Sequence, residues 1–227
     1  MPMKIIDAHS HLDYITHKFQ SDVVGTICCT TNETEWNKLI EMMEQDKNIF
    51  GAFGIHPWFV DSVTEGFDER LEFLLKMNQK FMVGEIGLDK YKPYMDRQIN
   101  IFQKQLDIAI RLKRSVFLHC VGAWDKILHI LKQYKQNELP IIIAHDFNAN
   151  DEILDRLLGY KNILFSFGKN IVYGRFSRID KIVCDRILVE TDANDNVLLK
   201  NIFDKISQKE SVIYDNTIRV LNNEQIA

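Results

Sequence analysis

Short apolar runs rich in β-branched and aromatic residues alternate with longer amphipathic segments along nearly the whole chain. The runs are KIIDAHSH (4–11), VVGTICCT (23–30), NIFGAFGIH (48–56), FMVGEIGLD (81–89), SVFLHC (115–120), PIIIAHD (140–146), NILFSFG (162–168) and RILVETDA (186–193). Several are almost continuously hydrophobic, as strands buried on both faces of a parallel sheet are. Between them, segments 33–46, 68–80, 96–113, 123–136, 151–160 and 177–184 read as helices. In 99–110, Ile99, Phe102, Leu106 and Ile110 recur at helical spacing and give one face to lay on a sheet. Strands alternating with helices imply right-handed βαβ units, and eight of them predict an α/β fold, the (β/α)8 TIM barrel. With 227 residues the chain falls short of the usual length of about 250, so a compact variant is expected. The first crossover, LDYITHKFQSD (12–22), is too short for a full helix with its loops, and the C-terminal region is short as well. No composition break or internal repeat interrupts residues 1–227, which read as one barrel domain.

Barrels of this kind work at the C-terminal ends of their strands. Here strand one ends in His9 and His11, strand three in His56, strand four in Glu85, strand five in His119, strand six in His145 and strand eight in Asp192. Five of the seven histidines thus fall at predicted strand ends, which the barrel gathers around one mouth. His9 and His11 share a strand face because residues i and i+2 point the same way. Imidazoles and carboxylates in such a ring point to bound divalent cations. His17, in the first loop, and His129, on an apolar-periodic helix, read as structural or solvated.

Composition changes this picture little. The chain is 46% hydrophobic and 26% charged, as soluble globular proteins are, and no apolar run reaches the roughly 20 residues that span a bilayer. The N-terminus has no signal-peptide pattern, and the four cysteines (Cys28, Cys29, Cys120 and Cys184) show neither disulfide nor zinc-knuckle spacing. A reducing, cytoplasmic setting is expected. A net charge of −4 gives no global basic field for nucleic acid, although two bound cations would reverse the sign of a cleft locally.

With DAHSHLD at the start, GIHPW at 54–58, GEIGLD at 84–89, RQINIFQKQLDIAIRLKRSVFLHC at 97–120, IIAHDFNAN at 142–150, ILFSFG at 163–168 and ILVETDA at 187–193, the sequence resembles the TatD family of metal-dependent hydrolases. The resemblance implies two divalent metal ions, with Zn, Mn, Mg, Fe and Ni all compatible with the donor set. It implies His9, His11 and Asp192 on the first, His119 and His145 on the second, and Glu85 bridging both. Glu85 and Asp192 are then the catalytic carboxylates, Asp192 as the acceptor of the attacking water's proton. His56 matches a pocket position suited to substrate contact. Glu190, two residues before Asp192 on the same strand face, is expected one layer deeper, orienting a ligand.

Two departures bear on the substrate. HDFNA stands where the family usually has HCFSG, placing Asp146 beside His145, where a role toward the following helix is expected. After ETDA, a loop with basic residues and part of the last helix read as missing. Lys169 and Arg175 are candidate substrate-binding cations, with Lys90, Lys92 and Arg178 as further rim charges. Trp58, Phe59, Tyr91, Tyr94 and Tyr173 are mouth aromatics able to stack on bases, whereas Trp36 and Trp124 read as packing anchors. The expected partner is DNA or a small nucleotide phosphodiester, with neither membrane nor obligate protein partner. Hydrolysis of an amide, lactone or small phosphoester, or a non-catalytic binding role, stands as the alternative.

Overall fold

Eight parallel strands follow one another in chain order around a single sheet in the computed structural model, which describes residues 4–14, 23–192, 196–206 and 208–224. They are β1 (Ile5–Ser10), β2 (Val23–Cys29), β3 (Ile49–Phe53), β4 (Met82–Asp89), β5 (Val116–Val121), β6 (Ile142–Ala144), β7 (Ile163–Phe167) and β8 (Ile187–Val189). The helices are α1 (Trp36–Gln45), α2 (Phe67–Met77), α3 (Met95–Leu112), α4 (Trp124–Leu131), α5 (Asp151–Leu158), α6 (Lys169–Val172), α7 (Asn196–Ile206) and α8 (Glu210–Leu221). Every predicted strand is present. The seam between the last strand and the first is closed by the Asp192 N–H, which donates to the His9 carbonyl at 3.0 Å. Below it, buried Asp7 accepts from the Thr191 N–H at 2.9 Å and its hydroxyl at 2.5 Å.

Period-two alternation sorts each strand between two cores. Outward residues such as Val116, Leu118, Ile142, Ala144, Ile187 and Val189 pack under the helices. Inward residues Ile6, Ile27, Ala52, Met82, Phe117, Ile143, Leu164 and Leu188 fill the barrel interior as one apolar layer. Two residues further along, the same inward face carries His119, His145, Ser166 and Glu190, so the apolar plug is followed by a polar storey. The far end of the barrel is stoppered by α8. There Ser115, just ahead of β5, donates its N–H to Asn223 Oδ1 at 2.6 Å and its hydroxyl to the Val220 carbonyl at 3.0 Å. The site can therefore open at one end only.

The helical reading of 177–184 is not met: 3-10 turns at Ile179–Lys181 and Cys184–Arg186 stand there instead. Ile179 and Ile182 are three apart, a spacing that a 3-10 turn satisfies as well as an α-helix does. The short C-terminal region forms two helices, and α8 is 12 residues long. Most of the first crossover, with His17, lies outside the described residues. Trp36 and Trp124 are buried, as packing anchors are. The four cysteines are free thiols, and among the described residues no helix is long and apolar enough to cross a membrane.

Candidate metal centre

Four donor atoms lie around one point at the mouth. His9 Nε2 is 3.2 Å from His11 Nε2, 3.3 Å from Glu85 Oε2 and 3.5 Å from Asp192 Oδ1. His11 Nε2 is 3.4 Å from each of the same two carboxylate oxygens. A tetrahedral cation with ligand bonds of about 2.0–2.1 Å separates its ligands by about 3.3–3.4 Å. Five edges of this tetrahedron are thus the size that a small divalent ion requires.

The second oxygen of Glu85 faces the other way. Its Oε1 is 2.6 Å from His119 Nδ1, 3.3 Å from His145 Nε2 and 3.5 Å from His56 Nε2. His9 with His145 and Asp192, His9 with His11 and Glu85, and His56 with Glu85 and His119 each form a set of donors able to hold a metal ion. Glu85 is not at a strand end, as the sequence suggested, but in the middle of β4, which runs on to Asp89. The strand shifts register against β5 between Val83 and Ile86, and this turns Glu85 into the barrel.

Backbone and carboxylate partners fix which imidazole nitrogen faces the centre. His11 Nδ1 donates to the Cys29 carbonyl at 3.0 Å, leaving the Nε2 lone pair inward. His145 Nδ1 lies 2.7 Å from Glu190 Oε1, again leaving Nε2 inward. Glu190 is fully buried beneath Asp192, one layer deeper. His56 is the reverse case: its Nδ1 accepts the Trp58 N–H at 3.2 Å, so its Nε2 carries the proton and is a donor. Among the described residues, buried His9 Nδ1 and His119 Nε2 have no hydrogen-bond partner.

The electrostatics are those of a site built around positive charge. Burial alone would raise the Glu85 carboxyl, but His145, His56, His9 and His119 outweigh it and hold it well below the carboxylate range. Burial works likewise against ionised Asp192, yet the hydrogen bond from His11 and the charges of His145 and His9 keep it down. Burial would lower His145, but Glu190 and Glu85 pull it well up. Burial dominates at His56 and takes it down to about 4, so it is neutral near pH 7. The carboxylates are ionised and need cations, a demand that without metal falls on protonated imidazoles and, at Asp192, on the Lys169 ammonium.

Around the centre, Lys169 Nζ stands 3.8 Å from Asp192 Oδ2. Arg175 is further out, exposed, and donates to Asn170 Oδ1 at 3.0 Å. Asn170 in turn donates to Asp146 Oδ2. Asp146 therefore serves this chain of contacts and not the following helix, whose N-cap is Asn150. Arg178 is turned away into an ion pair with Asp151. Sequence reasoning passed over Asp7, whose carboxylate ties β8 to β1 through Thr191, and Asp89, which holds Trp58. The only signal for either was a carboxylate inside an apolar strand.

Residues 6–214 match the family described as TatD related DNase. The chain belongs to this family. It is accordingly a metal-dependent hydrolase of the TatD type. It is 28% identical over 86% of its length to the uncharacterized metal-dependent hydrolase YjjV of Escherichia coli K12, covering 81% of that protein. It is 30% identical over 75% of its length to the 3′-5′ ssDNA/RNA exonuclease TatD of Pectobacterium atrosepticum, covering 68% of it. Against the human 3′-5′ RNA nuclease TATDN2 it is 28% identical over 83% of its length but spans only 28% of that protein. The crystal structure of the Escherichia coli YjjV protein superposes with a TM-score of 0.84 at 23% identity, with 99% of each chain covered, which shows the shared barrel.

Proposed function

We propose that this TatD-family barrel is a two-metal phosphodiesterase acting on single-stranded nucleic acid or small nucleotide diesters. The observation that carries the reading is the tetrahedron of His9, His11, Glu85 and Asp192, with Glu85 offering its second oxygen to His119 and His145. In this reading His9, His11 and Asp192 would hold one cation and His119 and His145 another, with Glu85 a ligand to both. Cations bound there supply Lewis acidity to a phosphoryl group and make water a better nucleophile.

The chain's own residues do the rest. Asp192, ionised and partly open to solvent, takes the proton of the attacking water and returns it to the leaving oxygen. His56 presents its Nε2–H as a neutral donor to a phosphoryl oxygen, where charge grows as water adds to phosphorus. Lys169, beside Asp192, and Arg175, further along the rim, attract the phosphate chain. Glu190 orients His145 from beneath. The relatives named as nucleases support a nucleic-acid substrate, and the aromatic and basic residues at the mouth suit one. The test compares wild type with Asp192→Asn on single-stranded DNA, double-stranded DNA and a chromogenic phosphodiester, each with Mg, Mn or Zn. Hydrolysis by wild type that falls steeply in the variant supports the reading; equal rates in the two proteins contradict it.

A further inference from the structure

Of the three tryptophans, Trp36 and Trp124 are 7% and 9% exposed, whereas Trp58 is 52% exposed although it directly follows Pro57 and buried His56. Its exposure is not looseness. The indole Nε1–H donates to Asp89 Oδ2 at 2.7 Å, and Asp89 is itself buried, its other oxygen accepting the Tyr91 N–H at 2.8 Å. The Asp89 backbone N–H is taken up by Gln98 Oε1 at 2.9 Å. The Trp58 backbone N–H is fixed on His56 Nδ1, and the two rings meet edge-on with centroids 5.3 Å apart. The indole's one polar atom is thus spent inward, and an apolar ring surface is held rigidly toward solvent one side chain away from the candidate metal centre. Lys92 holds its ammonium over the face of that ring, 3.9 Å from the centroid, so a base stacking on this face takes the place of the ammonium.

The other side of the mouth is unlike this. A cavity of about 450 Å³ runs there from His119 and His145 past Asp146 and Glu152, and among the described residues neither lysine nor arginine lines it. With Lys92 at Trp58 and Asp146 and Glu152 along the cavity, the Trp58 side suits a phosphodiester chain that Lys169 holds at the centre.

We propose that Trp58, pinned by Asp89, is a stacking platform for the base of the nucleotide next to the scissile phosphate, with Lys92 meeting the adjoining phosphate. This rests on the nuclease reading above. It sets a substrate requirement for bases without sequence preference, since every base offers a π-face.

The test uses two single-stranded oligomers of equal length and charge, an oligothymidylate and its abasic counterpart, with wild type, Trp58→Ala and Trp58→Phe. Loss of one stacked base raises KM for the oligothymidylate about tenfold in Trp58→Ala and less in Trp58→Phe, while the abasic oligomer is affected by less than about twofold. Binding of oligothymidylate to Asp192→Asn protein quenches tryptophan emission; the double variant with Trp58→Phe shows no quenching. Trp58→Phe retains the ring and separates stacking from a folding defect. Equal KM changes for both oligomers, or quenching that survives Trp58→Phe, overturn the platform alone. Absence of nucleic-acid hydrolysis by wild type overturns the nuclease reading and the platform with it.

Discussion

His145 Nδ1 lies 2.7 Å from Glu190 Oε1, and the same oxygen accepts the Asp146 N–H at 2.9 Å. One fully buried carboxylate thereby sets the tautomer of a mouth histidine and the backbone turn beside it. Partners of this kind typically contribute 10–100-fold to metal affinity. Glu190→Gln keeps the shape but loses the charge, so metal affinity is expected to fall about tenfold or more. Metal titration of folded protein, followed by calorimetry, measures it; unchanged affinity would show that Glu190 only fills space.

Removing metal should be felt in stability. The ionised carboxylates of Glu85 and Asp192 sit among imidazoles that only a cation or added protons can complement. A ligand bound to the native state at 100 times its Kd stabilises it by about 2.7 kcal/mol. For a domain of this size that is about 5–10 °C in Tm. Chelator-treated protein is expected to melt lower by that amount and to recover with Zn or Mn. Identical melting curves would mean that the donors hold no ion in solution.

His56 separates binding from chemistry. Its Nε2–H is a donor because Nδ1 is occupied by the Trp58 N–H. His56→Ala is expected to lower kcat about a hundredfold, the scale for losing one donor to developing charge. Metal content, measured by plasma emission on the same sample, should stay at the wild-type level. Loss of metal in the variant would reassign His56 to the ligand set.

Arg186 is buried between β7 and α5. It donates to the carbonyls of Ile163 at 2.7 Å, Tyr160 at 2.8 Å, Leu158 at 3.1 Å and Leu157 at 3.4 Å. Arg186→Ala removes all four of these hydrogen bonds, and although the Leu157 and Tyr160 carbonyls keep the backbone N–H groups of Tyr160 and Ile163, a loss of about 3 kcal/mol is expected. Urea denaturation reads it directly, and KM at a permissive temperature should be unaffected.

The fold was legible because a barrel strand needs only a short run of buried apolar residues, and each of the eight runs has one. The mouth was legible through alternation: once Phe117, Ile143 and Leu188 face inward, so do His119, His145 and Glu190. What was hidden depends on local geometry that period two does not encode. Glu85 faces inward in mid-strand because β4 shifts register there. Residues 177–184 carry a spacing common to two kinds of helix. Asp146 has a positive φ of 40°, which the sequence alone did not indicate, and its contact is with Asn170, 24 residues on.

In the proposed centre one carboxylate, Glu85, would serve two cations at once. The most direct measurement is metal content and single-strand hydrolysis on the same preparations of wild type and Glu85→Gln. Wild type should carry about two divalent ions per chain and cleave, and Glu85→Gln should lose most of both ions along with the activity while remaining folded. Metal-free wild type that cleaves as fast as loaded protein, or Glu85→Gln that keeps its metal and its rate, would contradict the account.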